Sequence, residues 1–316
     1  MSAVVVGVAA SHTTLMNTKW AEVDHLDRAH AYRDALAEAR GVIDAAAPDA
    51  ALVIGPNHFR GMWLDLMPTF TLGVDDVSAA GEHGTPSGPQ PTDTVLARAL
   101  LDGLVSAGFD LALSAKLEVD HGISHAIQHV LPPGLPVIPL IVNSFAPPLP
   151  SLARCADLGV AVRDLLAADE LDRRVVVVAS GGLSHHLPFP DWRDPRSDDD
   201  EFLVASWRDG RTGWAEYEPR RRLIVTSAPP RLNEAFDRDV LAHVERGTVR
   251  ELISVDAELA AVAGNGANEL RNWITMAAAC GWAAGRTLCY SPMPEWLTGM
   301  AVAVIERPPH DRGSAP

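Results

Sequence analysis

Cysteine is scarce: Cys155, Cys280 and Cys289 are the whole supply in 316 residues, and no CxxC pair occurs. That excludes a disulfide framework and a cysteine-built zinc site, and all three read as buried small apolar residues. Positive charge is also short. Lys and Arg number 26 against 41 Asp and Glu, a formal net charge of -15, so the average field repels phosphates and anionic lipid. Neither nucleic acid nor membrane is expected as a partner. Long apolar runs are missing too. Ile274 to Ala284 is too short to span a bilayer and reads as a buried helix. Met1 to Ala10 is apolar but has no basic n-region and runs into Ser11-His12-Thr13-Thr14, so it reads as the first strand of a sheet. A cytoplasmic protein is expected. Ala179-Ser180-Gly181-Gly182-Leu183-Ser184 lacks the order of a nucleophile elbow, and no Walker A loop occurs, which argues against a serine hydrolase and a P-loop enzyme.

What is present is an ordinary globular composition, 47% hydrophobic and 21% charged, in a chain long enough to bury a sizeable core. Short β-branched runs recur at Val4 to Ala10, Ala51 to Ile54, Leu111 to Ser114, Val137 to Val142 and Val175 to Ala179. Helical periodicity follows in Val23 to Ala46, Thr92 to Ala107 and Leu152 to Ala168. This alternation predicts an α/β fold, a mixed sheet covered by helices. From Asn233 to Ala284 the pattern is mostly helical before Met300 to Ile305 returns to a strand, so the C-terminal third is largely helical. One domain over residues 1–306 is expected, with a disordered tail over 307–316. Asp191 to Arg222 mixes acids, bases and three tryptophans without a clean period and reads as a long loop or lid, with Asp198 to Glu201 a solvated part of it.

In an open α/β sheet, ligands gather at the carboxyl ends of strands. Four of the loops there carry a histidine: His12, His58, His121 and His185, out of twelve in the chain. Each alone reads as a turn or capping residue; their recurrence after separate strands points to a shared metal or acid/base site. Two imidazoles and a carboxylate on one face would leave open positions on iron(II). Asp120, Glu82, Glu118 and Glu269 all qualify as that carboxylate, and spacing does not choose among them.

Ser11-His12, Asn57-His58-Phe59, Met67-Pro68, Val119-Asp120-His121-Gly122, Ser180 to His185, Ala263 to Trp273 and Pro294-Glu295-Trp296 occur in this order. In them the chain resembles, over nearly its whole length, the class III or protocatechuate 4,5-dioxygenase-like extradiol ring-cleavage dioxygenases, particularly the single-chain enzymes acting on 2,3-dihydroxyphenylpropionate. The resemblance implies Fe(II) held by His12, His58 and Glu269, with His185 as catalytic base and His121 as an acid that also positions substrate or oxygen. It implies a catecholic substrate, 3-substituted, and O2 as partners, and a product opened beside the two hydroxyls. Asn57 and Thr13-Thr14 depart from the residues usual there. A homo-oligomer is expected. The alternatives are a zinc-dependent enzyme or a non-catalytic binding protein on the same fold.

Overall fold

The computed structural model describes residues 3–168 and 171–306, so the tail expected over 307–316 lies outside the described residues. In chain order the strands are β1 (Ala3–Ala10), β2 (Ala50–Gly55), β3 (Phe70–Ala80), β4 (Ser87–Gln90), β5 (Ala112–Val119), β6 (Val137–Val142), β7 (Arg174–Ser180), β8 (Arg286–Met293) and β9 (Thr298–Glu306). The helices are α1 (Leu15–Thr18), α2 (Leu26–Ala46), α3 (Thr94–Ser106), α4 (His121–His129), α5 (Leu152–Ala168), α6 (Asp198–Thr226), α7 (Glu234–Arg246), α8 (Leu259–Ala263) and α9 (Leu270–Ala279).

One mixed sheet of nine strands runs β4-β3-β6-β2-β7-β1-β9-β8, with β5 beside β3. Its centre, β6-β2-β7-β1, is parallel, and β3 and β9 close it antiparallel on either side. Parallel strands covered on both faces must be apolar on both, which is why β2 and β6 are buried throughout. Alternate residues feed separate cores. Leu52, Ile54, Val175 and Val177 pack with α3, α5 and α9, whereas Ala51, Val53, Val176 and Val178 pack with α2 and α4. No described helix is long and apolar enough to cross a membrane.

Two expectations need correction. The segment read as a loop or lid is mostly helix α6, and only its first residues, before Ser197, lack regular structure. Ser197 caps it, its side chain accepting from the Asp200 N–H at 3.1 Å. Asp198 to Glu201 form its acidic first turn, where negative charge suits the helix dipole. Pro219 inside the helix and the absence of a clean apolar stripe hid it. Its inner residues Leu203, Val204 and Trp207 join Phe59, Trp63 and Phe145 in a third, smaller core above the ends of the central strands. The second correction is Cys289, which is half-buried and lies 3.2 Å from the Ser291 hydroxyl; Cys155 and Cys280 are buried as expected.

Candidate metal centre and active site

Three strand ends and one helix entrance converge. His12 follows β1, His58 follows β2, the Ser180–His185 turn follows β7, and Glu269 closes the 3-10 turn Asn265–Glu269 that leads into α9. The Nε2 atoms of His12 and His58 are 3.4 Å apart. Glu269 Oε1 lies 3.5 Å from the first and 3.2 Å from the second. Donors bound about 2.1 Å from one ion at right angles sit about 3 Å apart, so this triangle fits a metal after contraction by a few tenths of an ångström.

Each member is aimed by a partner behind it. His12 Nδ1 sits 3.0 Å from the Ser180 hydroxyl, and His58 Nδ1 lies 3.4 Å from Asp120 Oδ1. Asp120 also accepts from the His58 and Gly122 backbone N–H groups, the latter at 2.7 Å, and so caps α4. Holding Nδ1 from behind turns Nε2 inward, the usual way a ligating imidazole is oriented. Glu269 is 1% exposed, and its Oε2 accepts from the Gly182 N–H. Gly181 and Gly182 have φ of 110° and 71°, and a side chain on Gly181 would collide with the Glu269 carboxylate. Glycine is therefore required in this turn.

The electrostatics match. Burial holds His12 well below its ordinary value, as a neutral imidazole, against the pull of Glu269. Burial alone would lower His58 too, but Asp120 and Glu269 push it up to about 9. Burial would raise Glu269, yet His12 and His58 bring it down to about 2. The raised His58 and lowered Glu269 mark a site that favours positive charge between them, which a bound metal would supply.

His121 and His185 line the same cavity as His12 and His58. His121 Nδ1 binds Glu82, and its backbone N–H donates to the same carboxylate at 2.8 Å. Burial would raise Glu82, but His121 holds it down to about 2. His185 Nδ1 is 2.9 Å from the Leu183 carbonyl, which only accepts, so the proton sits on Nδ1 and Nε2 carries the lone pair. Gly266 packs flat on this ring, and a side chain there would collide with it.

His12, His58 and His121 also lie close enough together to share an ion. Ring geometry argues against that set. An imidazole binds a metal through a lone pair in its ring plane, and the His58 and His121 rings stack at 4.0 Å, 21° from parallel, so their lone pairs do not converge. His12 and His58 instead meet edge-on, at 81°.

All five residues singled out in the sequence come together, but not all by the strand-end rule. β5 runs parallel to β3, which runs against the central strands. His121 arrives because the Asp120–Gly122 turn packs directly on Gly55 and Pro56, where both glycines permit close backbone contact. Of the other candidate acids, Asp120 stands behind His58, Glu82 serves His121, and Glu118 pairs with Arg60 at 2.8 Å near the surface.

His125 is buried on α4, its ring 6.2 Å from that of His12 and its Nε2 without a partner among the described residues. His83 lines the cavity and pairs with Glu218 at 2.8 Å. His186 is exposed, and His25 pairs with Glu295 at 2.7 Å, away from the cavity. Sequence reasoning missed Ser180 as the support of His12 and Asn265 as the residue that ties down the chain after His185. Asn265 accepts from the Leu187 N–H at 2.8 Å and donates to the Leu187 carbonyl at 3.0 Å. The closely spaced Gly264 and Gly266 around that Asn were its signal.

Residues 8–301 match the family model described as the catalytic LigB subunit of aromatic ring-opening dioxygenase. The chain is 32% identical over 308 residues to a 2,3-dihydroxyphenylpropionate/2,3-dihydroxicinnamic acid 1,2-dioxygenase of Klebsiella pneumoniae strain 342, covering 92% of this chain and 94% of the relative. It is 33% identical over 282 residues to the enzyme of the same name from Escherichia coli strain K12 / DH10B, covering 84% and 87%. A crystal structure of an uncharacterized Escherichia coli K12 protein superposes with a TM-score of 0.50 at 14% identity, over 95% of this chain and 99% of that one, a likeness of fold alone.

Proposed function

The chain belongs to the LigB family of aromatic ring-opening dioxygenases, and from that premise we propose an Fe(II) enzyme that opens a 3-substituted catechol of the 2,3-dihydroxyphenylpropionate kind, with His12, His58 and Glu269 as its metal ligands. The observation that carries this reading is the triangle of two Nε2 atoms and one carboxylate oxygen, 3.2 to 3.5 Å on a side, at the end of a cavity whose walls hold two further histidines. Two imidazoles and one carboxylate on one face of iron(II) leave open positions, which supplies the means to align a catechol with dioxygen and pass electron density between them.

The chain's own residues do the rest. His185, with its proton fixed on Nδ1 by the Leu183 carbonyl, presents Nε2 as the base for a catechol hydroxyl. His121, tied to Glu82 through Nδ1, has Nε2 left over to deliver a proton later in the cycle. Leu187, Phe189 and Trp296 give the cavity apolar walls that suit an aromatic ring and limit water. The test is oxygen uptake and near-ultraviolet product absorbance with a small panel of catechols after loading with iron(II) or with zinc. Turnover with iron and none with zinc is expected; turnover only with zinc, or with no catechol in the panel, would contradict the reading.

A further inference from the structure

We propose that Arg222 is the receptor for a negatively charged ring substituent and so selects catechols whose side chain ends in a carboxylate, an inference that rests on the ring-opening reading of the same cavity. With a net charge of -15 the molecule cannot attract an anionic substrate by its average field, so a local cation has to do it. Helix α6 and the segment before it carry several arginines, and most are already matched. Arg193 pairs with Asp191, Arg196 with Asp194, Arg211 with Asp65 and Arg220 with Asp199, all toward solvent. Arg208 is exposed. Only Arg221 and Arg222 line the cavity that holds His12, His58, His121 and His185.

Those two differ in what holds them. Arg221 is 7% exposed, donates to the His58 carbonyl at 2.6 Å and reaches Glu218 at 3.4 Å. It is also sandwiched near Trp214 and Phe189, with its guanidinium carbon 4.7 and 5.8 Å from their ring centres. It braces the His58 loop. Arg222 instead donates to two neutral hydroxyls, Thr14 at 2.7 Å and Thr18 at 3.1 Å. No carboxylate among the described residues comes within 4.0 Å of it. The acids nearest to it are occupied: Glu82 by His121, Glu218 by His83 and Arg221. Arg222 is thus the cavity's surplus cation. Burial already disfavours its charge, which Glu218 and Glu82 offset only from a distance. A guanidinium has five N–H donors in a planar fork, and those not used on the threonines suit a carboxylate. Thr14 stands two residues from His12, so the loop that carries a metal-facing histidine also fixes this cation.

The experiment compares wild type with Arg222→Gln and Arg222→Lys on 3-(2,3-dihydroxyphenyl)propionate and on uncharged 3-propylcatechol. It adds calorimetric binding of 3-phenylpropionate, which has the carboxylate but no hydroxyls to hold a metal. Arg222→Gln should lower kcat/KM for the acid by about tenfold to a hundredfold, mostly through KM, while the neutral catechol changes by less than about threefold. Binding of 3-phenylpropionate should weaken by a similar factor, and Arg222→Lys should recover part of both losses. An equal loss on both catechols would overturn the proposal and make Arg222 a brace between α6 and the Thr14 loop. So would 3-phenylpropionate binding that ignores the substitution; catechol opening in wild type would then leave the ring-opening reading standing. If wild type opens neither catechol yet binds 3-phenylpropionate through Arg222, the anion receptor stands and the ring-opening reading falls.

Discussion

The cavity has two walls of different construction. One is the rim of the sheet, where His12, His58 and the Ser180–His185 turn extend directly from strands buried on both faces and Glu269 is locked by Gly182. The other is α6, a long helix whose outer face is charged and whose inner face rests on a small aromatic core of its own. The rim carries the groups that bear chemistry; the helix carries the cations that face the cavity. A rim with each ligand held from behind fixes distances, while the helix touches that rim through Arg221 on the His58 carbonyl and through Phe59, and packs the rest of its inner face away from the ligands. We read the first as the reaction's machinery and the second as its means of choosing among catechols.

Substitutions should separate the two walls. The largest effect is expected for His12→Ala or His58→Ala, which should bring iron content and oxygen uptake to background while the melting temperature stays close to wild type, since a site with three protein ligands loses most of its affinity with any one. Either variant retaining full iron would detach that histidine from the rim's function. Next come His185→Gln and His121→Gln, expected to keep iron and to lose about 10²–10⁴-fold in turnover, the usual scale for removing a general acid or base. Rapid-quench single turnovers with parallel metal analysis check this, and an iron-free His185→Gln protein would move that residue into the metal site.

A smaller effect is expected one layer back. Asp120→Asn keeps the cap of α4 but weakens the grip on His58 Nδ1, and should reduce iron affinity about 10- to 100-fold in a competition titration with a chelator. Unchanged affinity would show that the backbone contacts alone aim the ring. The mildest change belongs to the helix. A methyl group on Gly210 would collide with the Trp63 ring, so Gly210→Ala should cost about 1–3 kcal/mol by overpacking. It should shift the preference between acidic and neutral catechols more than it alters iron affinity. A loss of iron instead would mean that the two walls are not independent.

The difference between the walls also explains what could be read from the sequence. The central strands were legible because Val175 to Val178 or Leu52 to Ile54 must be apolar on both faces, and the histidines stand out directly after them. Of the strands farther out, the start of β5 was, as the run Leu111 to Ser114; β3, β4 and β8 were not. β3 contains Gly73 and the pair Asp75-Asp76, β4 is partly exposed and includes Pro89, and β8 is only half-buried along much of its length. Local pattern cannot announce strands whose stability comes from pairing at an edge. Helix α6 was missed for a related reason: its mixed charges and tryptophans show no clean period, it contains Gly210, Gly213 and Pro219, and what outweighs this is the packing of Trp207 on Phe59, rings 4.1 Å apart, which is long-range. Which acid faces the two histidines was likewise invisible in spacing, because Glu269 lies more than two hundred residues from His58 and reaches it only through the fold.

The central claim is that the metal is held by two histidines and Glu269 and not by three histidines. Equilibrium iron(II) binding to wild type, Glu269→Gln and His121→Gln, measured anaerobically side by side, decides it. The account predicts one iron per chain in wild type, near-complete loss in Glu269→Gln and essentially unchanged binding in His121→Gln; iron retained by Glu269→Gln and lost from His121→Gln would contradict it.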